Sequence, residues 1–222
     1  MGKANGYERP QAGVDVALFT LKEGRLSVLL ARRDRPPLEG SFALPGGFIH
    51  VDGDADTQAT ARRVLLTKVG IVAPYLEQLF TFSGRARDPR GWSLSIAYYA
   101  VVPAAVLGDV SGPDLVTAFV DDLPALPFDH TSIVETAVSR LRGKSSYSSL
   151  PMFLLPDLFT VNELYDVYRQ VGIGIDKVTF RRRIENQGAI QAVPGKMRVG
   201  QHRPAQLYRR AAASLREFDQ AL

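Results

Sequence analysis

The stretch FTVNELYDVYRQVGIGIDKVTFRRRIENQG, residues 159–188, decides how the C-terminal third folds. Thr160 followed three residues later by Glu163 forms a capping box, in which the hydroxyl and the carboxylate each satisfy a free amide at a helix start. Leu164, Val167, Tyr168 and Val171 recur at helical spacing, so 160–171 is expected to be an amphipathic helix. Gly172 and Gly174 mark a turn. Asp176 is suited to cap a second helix, 177–187, which Gly188 stops. On that helix Phe180 and Ile184 share one face and anchor it, while Thr179, Arg182 and Asn186 fall roughly opposite.

Beyond Gly188 the chain is basic and strand-like. Residues 189–193 and 197–199 flank Pro194-Gly195, which predicts a hairpin with its turn at that dipeptide. From Arg209 onward a terminal helix is expected. Two helices, a Gly-bearing turn and a basic hairpin outline a winged helix-turn-helix, a frame that sets one helix in the major groove of DNA. The candidate DNA-binding residues are Lys177, Thr179, Arg181, Arg182 and Arg183 on the second helix. Lys196, Arg198, His202 and Arg203 on the hairpin complete the set. Arginine can read guanine with two hydrogen bonds, and lysine neutralises phosphate.

The charge distribution agrees. Of the 222 residues, 143–222 carry 12 Lys and Arg against 7 Asp and Glu, whereas 1–142 carry 15 against 16. A basic excess confined to one end points to nucleic acid, although a solvated face produces the same numbers. The chain has no cysteine, which excludes disulfides and thiolate metal sites and suits a reducing cytoplasm. Met1 to Pro10 lacks the apolar core of a signal peptide, and no apolar run approaches the ~20 residues of a membrane span. A cytoplasmic protein is expected.

Upstream, 14–21 and 26–31 read as a strand hairpin, 75–83 and 93–102 as two further strands, and 57–69 as a helix stopped by Gly70. Residues 131–141 form a short amphipathic helix with Ile133, Ala137, Val138 and Leu141 on one side. The small-polar run Gly143–Ser149 is the best linker, so the expected domains are 1–142, a linker at 143–150, and 151–222. The apolar stretch 150–159 is a candidate contribution to a dimer interface.

The motif Leu44-Pro-Gly-Gly-Phe48, the helix with Arg63 and the closing Gly70-Ile71 resemble the Nudix box, over roughly residues 10–140. That resemblance implies an α/β/α sandwich with a mixed sheet, so the fold class is α+β with a small winged helix attached. Nudix hydrolases hold divalent metal with glutamates on one helix face. Val64, Thr67 and Lys68 stand at those positions here, so no catalytic residue and no metal site is expected. Asp52, Asp54 and Asp56 in the longer loop are readable as metal ligands, but better as a polar loop and helix cap. The segment Ser83–Trp92 carries Arg85, Arg87 and Arg90, which suit a pyrophosphate, and Trp92, which suits stacking on a base. The same composition suits an ordinary polar surface loop.

Both halves together resemble the NrtR family, the Nudix-related transcriptional repressors of NAD metabolism. The resemblance rests on Leu44–Phe48, Thr81–Ser83 with Arg87–Gly91, Phe159–Tyr168, Asp176–Arg182, Gly200–Pro204 and Leu207-Tyr208, in that order. It implies a homodimer on a palindromic DNA operator, released by ADP-ribose or a related NAD-derived nucleotide. It further implies that Phe48, Arg87, Asp88 and Arg90 contact that ligand, and that no cofactor is needed. The enzyme alternative is an ADP-ribose pyrophosphatase carrying a winged-helix module.

Overall fold

β1 (Gln11–Lys22) and β2 (Arg25–Arg32) pair as an antiparallel hairpin around Glu23-Gly24, two residues at positive φ. The computed structural model describes residues 9–108, 112–199 and 204–222. β1 lies at the centre of a seven-stranded mixed sheet and runs parallel to β6 (Ser93–Val101). β6 pairs in turn with the edge strand β5 (Tyr75–Gly84). On the other side β2 pairs with β3 (Phe42–Ala43) and β7 (Leu115–Phe119), and β4 (Gly46–Phe48) pairs with β1.

The central strands are apolar without a break because both of their faces are covered. Val14, Val16 and Leu18 of β1 join Tyr98 and Ala100 of β6 under α1 (Thr57–Val64). A π-helical turn, Leu65–Val69, continues α1 until Gly70 ends it at φ 76°. A five-residue helix, α2 (Ala104–Gly108), adds Leu107 to this layer. The alternate residues Ala17, Phe19, Ala97 and Tyr99 face α3 (His130–Ser145), whose Ile133, Val134, Ala137 and Leu141 are fully buried. The result is the expected α/β/α sandwich.

The C-terminal domain shares the second of these cores. A 3-10 turn at Leu150–Leu154 leads to α4 (Val161–Gln170) and α5 (Lys177–Asn186). The capping box of Thr160 and Glu163 is formed, Asp176 caps α5, and Gly188 turns at φ 57°. Phe180 packs on the rings of Tyr165 and Tyr168, at 5.5 and 5.1 Å. The Tyr168 hydroxyl donates to the Ser148 carbonyl at 2.8 Å, and Phe153 meets Tyr75 of the sheet at 5.5 Å. One continuous apolar cluster therefore joins α3, α4 and α5.

Three expectations need correction. The run Gly143–Ser149 is no free linker: its first three residues extend α3, and Ser148 and Ser149 are buried. The stretch 150–159 packs mostly into the core of its own chain, with Leu150, Met152, Phe153, Leu154 and Phe159 all enclosed and Pro156 and Asp157 left exposed. The wing does not turn at Pro194-Gly195. That dipeptide sits within β8 (Ile190–Arg198), at a register shift, and β8 pairs with β9 (Ala205–Arg210). No helix follows Arg209; the tail instead bonds its backbone to the junction, with Phe218 N–H donating to Tyr147 O at 2.7 Å and Leu222 N–H to Ser146 O at 2.7 Å.

Burial raises the phenol pKa values of Tyr75, Tyr99 and Tyr168 above the ordinary value, with hydrogen bonds to Glu77 and Tyr99 adding to the effect at Tyr75. A raised folded-state pKa stabilises below the unfolded value and loses that contribution as pH rises. Stability should therefore fall steeply above about pH 10, by up to about 1.4 kcal/mol per pH unit for each tyrosine. Urea unfolding from pH 8 to 11 would reveal this as a falling midpoint, and a flat profile would contradict it.

Candidate functional site

A cleft of about 350 Å³ opens where β4, α1 and the 84–93 loop meet the start of α3. Phe48, Arg87, Asp88 and Arg90 all line it. Gly46 and Gly47 form its floor. A side chain at Gly46 would collide with Asp15 Oδ1 and lie 3.1 Å from Val14 O, and one at Gly47 would press on Val64 at 3.2 Å. The double glycine is thus fixed by close approach of backbone to neighbours.

The cationic groups in the cleft are held by internal carboxylates. Arg87 forks onto Asp129 through Nε and Nη2, both at 2.9 Å, and Nη2 also reaches Asp15 at 3.5 Å. Arg90 clamps Asp88 through Nε at 3.0 Å and Nη2 at 2.6 Å, and its guanidinium lies 5.2 Å from the Phe48 ring centre. Burial pushes the Asp88 carboxyl up, but the hydrogen bonds from Arg90 outweigh it and leave the group below its ordinary value. Asp88 is therefore a brace for Arg90, itself buried, more than a surface open to ligand.

The cleft also brings in two residues that sequence reasoning missed. Arg33 rests 4.8 Å over the Phe128 ring and donates only to carbonyls, Pro37 O at 2.9 Å and Arg35 O at 3.3 Å, among the described residues. Burial and repulsion from Arg90 lower its pKa, so an anion placed between the two would relieve both. His130 is buried and accepts from the Leu44 N–H through Nδ1 at 3.0 Å; its Nε2 lies 3.6 Å from Asp15. Burial lowers its pKa and keeps it neutral, so it ties the glycine loop to the first turn of α3. The run Arg32-Arg33-Asp34-Arg35 was a visible signal for Arg33. Nothing in the local sequence announces His130. Trp92 is exposed and off the cleft lining, as is Arg85.

The box itself does not fit a divalent cation. Val64 is buried, Thr67 donates back to Arg63 O at 2.8 Å, and Lys68 pairs with Asp34 at 3.1 Å. Asp54 accepts from Arg63 at 2.8 and 2.7 Å, which holds its carboxyl well below the usual range, and it also accepts from His50 N–H and Thr60. Asp56 caps α1 through Ala59 N–H. Among the described residues no cluster of three His, Asp or Glu side chains is placed to hold a metal ion.

On the C-terminal domain α5 stands clear of the core along its polar side. Lys177, Arg182 and Lys196 are exposed, and none has a carboxylate partner among the described residues. Lys177 lies 5.8 Å over the Tyr165 ring. Thr179 is half-buried. The other cations are engaged: Arg181 with Glu185 at 3.1 Å, Arg183 with Ala221 O at 3.0 Å, and Arg198 with Glu163 at 3.3 Å. Arg183 points at the tail. His202 and Arg203 lie outside the described residues.

Comparison with known proteins matches a different family model to each half of the chain. Residues 9–127 match the Nudix domain, and residues 151–210 match the NrtR DNA-binding winged helix domain. The ADPR responsive transcriptional repressor NtrR of Acinetobacter baylyi is 36% identical over 218 residues, covering 96% of this chain and 86% of that protein. The chain belongs to the NrtR family. Among solved structures, Shewanella oneidensis NrtR in complex with a 27mer DNA is similar at a TM-score of 0.86 and 36% identity, covering 95% of this chain and 99% of that one. The Nudix domain of the same NrtR in complex with ADP ribose matches at 35% identity and a TM-score of 0.55, covering 63% of this chain and 94% of that one. The NrtR likeness thus spans both the cleft and α5.

Proposed function

We propose that the chain is a DNA-binding transcriptional repressor of NAD biosynthesis or salvage genes, whose Nudix cleft takes ADP-ribose or a related nucleotide without hydrolysing it. The observation that carries this reading is the pairing, in one NrtR-family chain, of a cationic cleft lacking box carboxylates with an exposed cationic helix face. Arg87, Arg90 and Arg33 suit the pyrophosphate, and the exposed face of Phe48 suits a base or ribose. Asp88 acts by positioning Arg90. Without metal ligands the cleft has no means of activating water on the metal-dependent Nudix route, so binding is the output. No cofactor is required.

Two winged helices bind a palindrome when two chains associate, so the active species is a homodimer acting in the cytoplasm. Lys177, Arg182 and Lys196 make the first contacts with DNA. Arg181, Arg183 and Arg198 join by exchanging an internal acceptor for phosphate, and Thr179 lies between them. Nucleotide and DNA favour different placements of the two wings, so each weakens the other by the same factor.

The test is a mobility shift on a palindromic fragment from a promoter of NAD genes, with and without ADP-ribose. A shift of nanomolar order that ADP-ribose relieves is expected, and Arg182→Ala should weaken it by about 1–3 kcal/mol if Arg182 reads a base. Hydrolysis of ADP-ribose with magnesium or manganese would overturn the non-enzymatic reading. A shift indifferent to every NAD-derived nucleotide would leave DNA binding without sensing.

A further inference from the structure

Arg87 has almost no hydrogen-bonding capacity to spare. Its side chain is 10% exposed. Nε and Nη2 fork onto Asp129, Nη2 also reaches Asp15, and Nη1 donates to Ser93 Oγ at 3.3 Å. Of the five guanidinium protons, one is uncommitted. A pyrophosphate that takes the planar Nε and Nη2 fork of Arg87 must displace Asp129.

Asp15 is fixed. It sits mid-strand in β1, in register with Gly46 on one side and Ala97 on the other, and its side chain is packed against Gly46. Asp129 is different. It lies in the connection before α3, directly after Phe128, a non-glycine residue at φ 58°. That left-handed backbone is strained for a residue with a side chain. Asp129 also occupies the cap position of α3, yet its carboxylate caps no first-turn amide. It therefore has a second partner set waiting two residues away.

We propose that Asp129 is a built-in competitor for the effector: it holds Arg87 in the DNA-binding state, and on displacement by the pyrophosphate it swings to cap α3. This rests on ADP-ribose occupying the Nudix cleft as proposed above, and adds how occupancy is felt elsewhere. α3 runs about 24 Å from the cleft to the domain junction. At its far end Lys144 binds Glu77 of β5 at 2.5 Å, and just beyond it Ser148 accepts from Tyr168 of α4. Its buried face belongs to the same apolar cluster as Phe180 and Ile184 of α5. Packed interiors shift between discrete arrangements, so a change at the first turn of α3 is carried to the recognition helix.

Asp129→Asn tests the exchange, because asparagine is nearly isosteric and still caps helices. Without the charge, ADP-ribose should bind about tenfold tighter, since its competitor is weakened. The factor by which ADP-ribose weakens DNA binding, typically about 5–150 for coupled sites, should fall below about 2. Calorimetry gives the first number and fluorescence anisotropy on operator DNA the second. A variant with wild-type nucleotide affinity and wild-type coupling would overturn the proposal. Hydrogen exchange on the unmodified protein gives an answer that needs no variant: ADP-ribose should slow exchange at the Thr131 and Ser132 amides, and unchanged exchange there overturns the exchange of partners. A wild-type protein that fails to bind ADP-ribose, or whose DNA affinity ignores it, would remove the functional reading and this inference with it.

Discussion

Phe180→Ala is expected to destabilise the C-terminal domain by about 3–5 kcal/mol and to abolish specific DNA binding. The ring is fully buried and lies against Tyr165 and Tyr168. Truncation leaves a cavity that α5 is too short to collapse into, because Ile184 holds its other end in the same core. The loss is comparable with the whole stability of a small domain. Lys177 and Arg182 would keep their charge but lose the rigid placement that groove recognition needs. Urea unfolding followed by far-ultraviolet circular dichroism should show a lowered midpoint or a separate early transition, together with loss of the operator shift. The exposed Val178 on the same helix provides the contrast: Val178→Ala should change stability by no more than about 0.5 kcal/mol. Equal effects of the two substitutions would mean that α5 is not anchored as described.

Local chemistry explains why this helix pair was legible in the sequence. The caps Thr160, Asp176 and Gly188 and the apolar spacing of each helix depend on residues within one or two turns of each other. The wing was harder. Pro194-Gly195 has turn chemistry, and Gly195 does adopt φ 70°, but long-range pairing with Ala205–Arg210 carries β8 past it. The tail differs from the expected helix for a similar reason: its backbone bonds instead with Ser146, Tyr147 and Ser149, far away in sequence. The cleft was half legible. Phe48, Arg87, Asp88 and Arg90 follow from the family resemblance and do meet in one cleft. Their partners were not, because Asp129 stands 42 residues from Arg87 and Leu44 stands 86 from His130. Spacing along the chain carries no trace of such pairs.

Arg87→Ala should carry the largest functional cost in the N-terminal domain. It removes the fork that a pyrophosphate requires, so ADP-ribose binding should weaken about 100-fold or more, equivalent to about 3 kcal/mol or two charge-assisted hydrogen bonds. It also leaves Asp15 and Asp129, with side chains 15% and 21% exposed, without the cation between them. Stability should fall by about 2–3 kcal/mol, below the 3–5 of a fully buried pair because water reaches both carboxylates. Arg87→Lys should rescue little, since an ammonium offers no planar fork to Asp129 or to a pyrophosphate. The decisive variant is Arg87→Ala combined with Asp129→Asn. Removing the stranded charge should restore roughly half of the lost stability but none of the nucleotide affinity, because the two effects share Arg87 and not Asp129. If DNA binding in Arg87→Ala alone persists at ADP-ribose concentrations that saturate its weakened cleft, Arg87 is the point at which the effector is read. If nucleotide affinity survives Arg87→Ala, the pyrophosphate lies instead between Arg33 and Arg90, two cations that repel each other across the cleft.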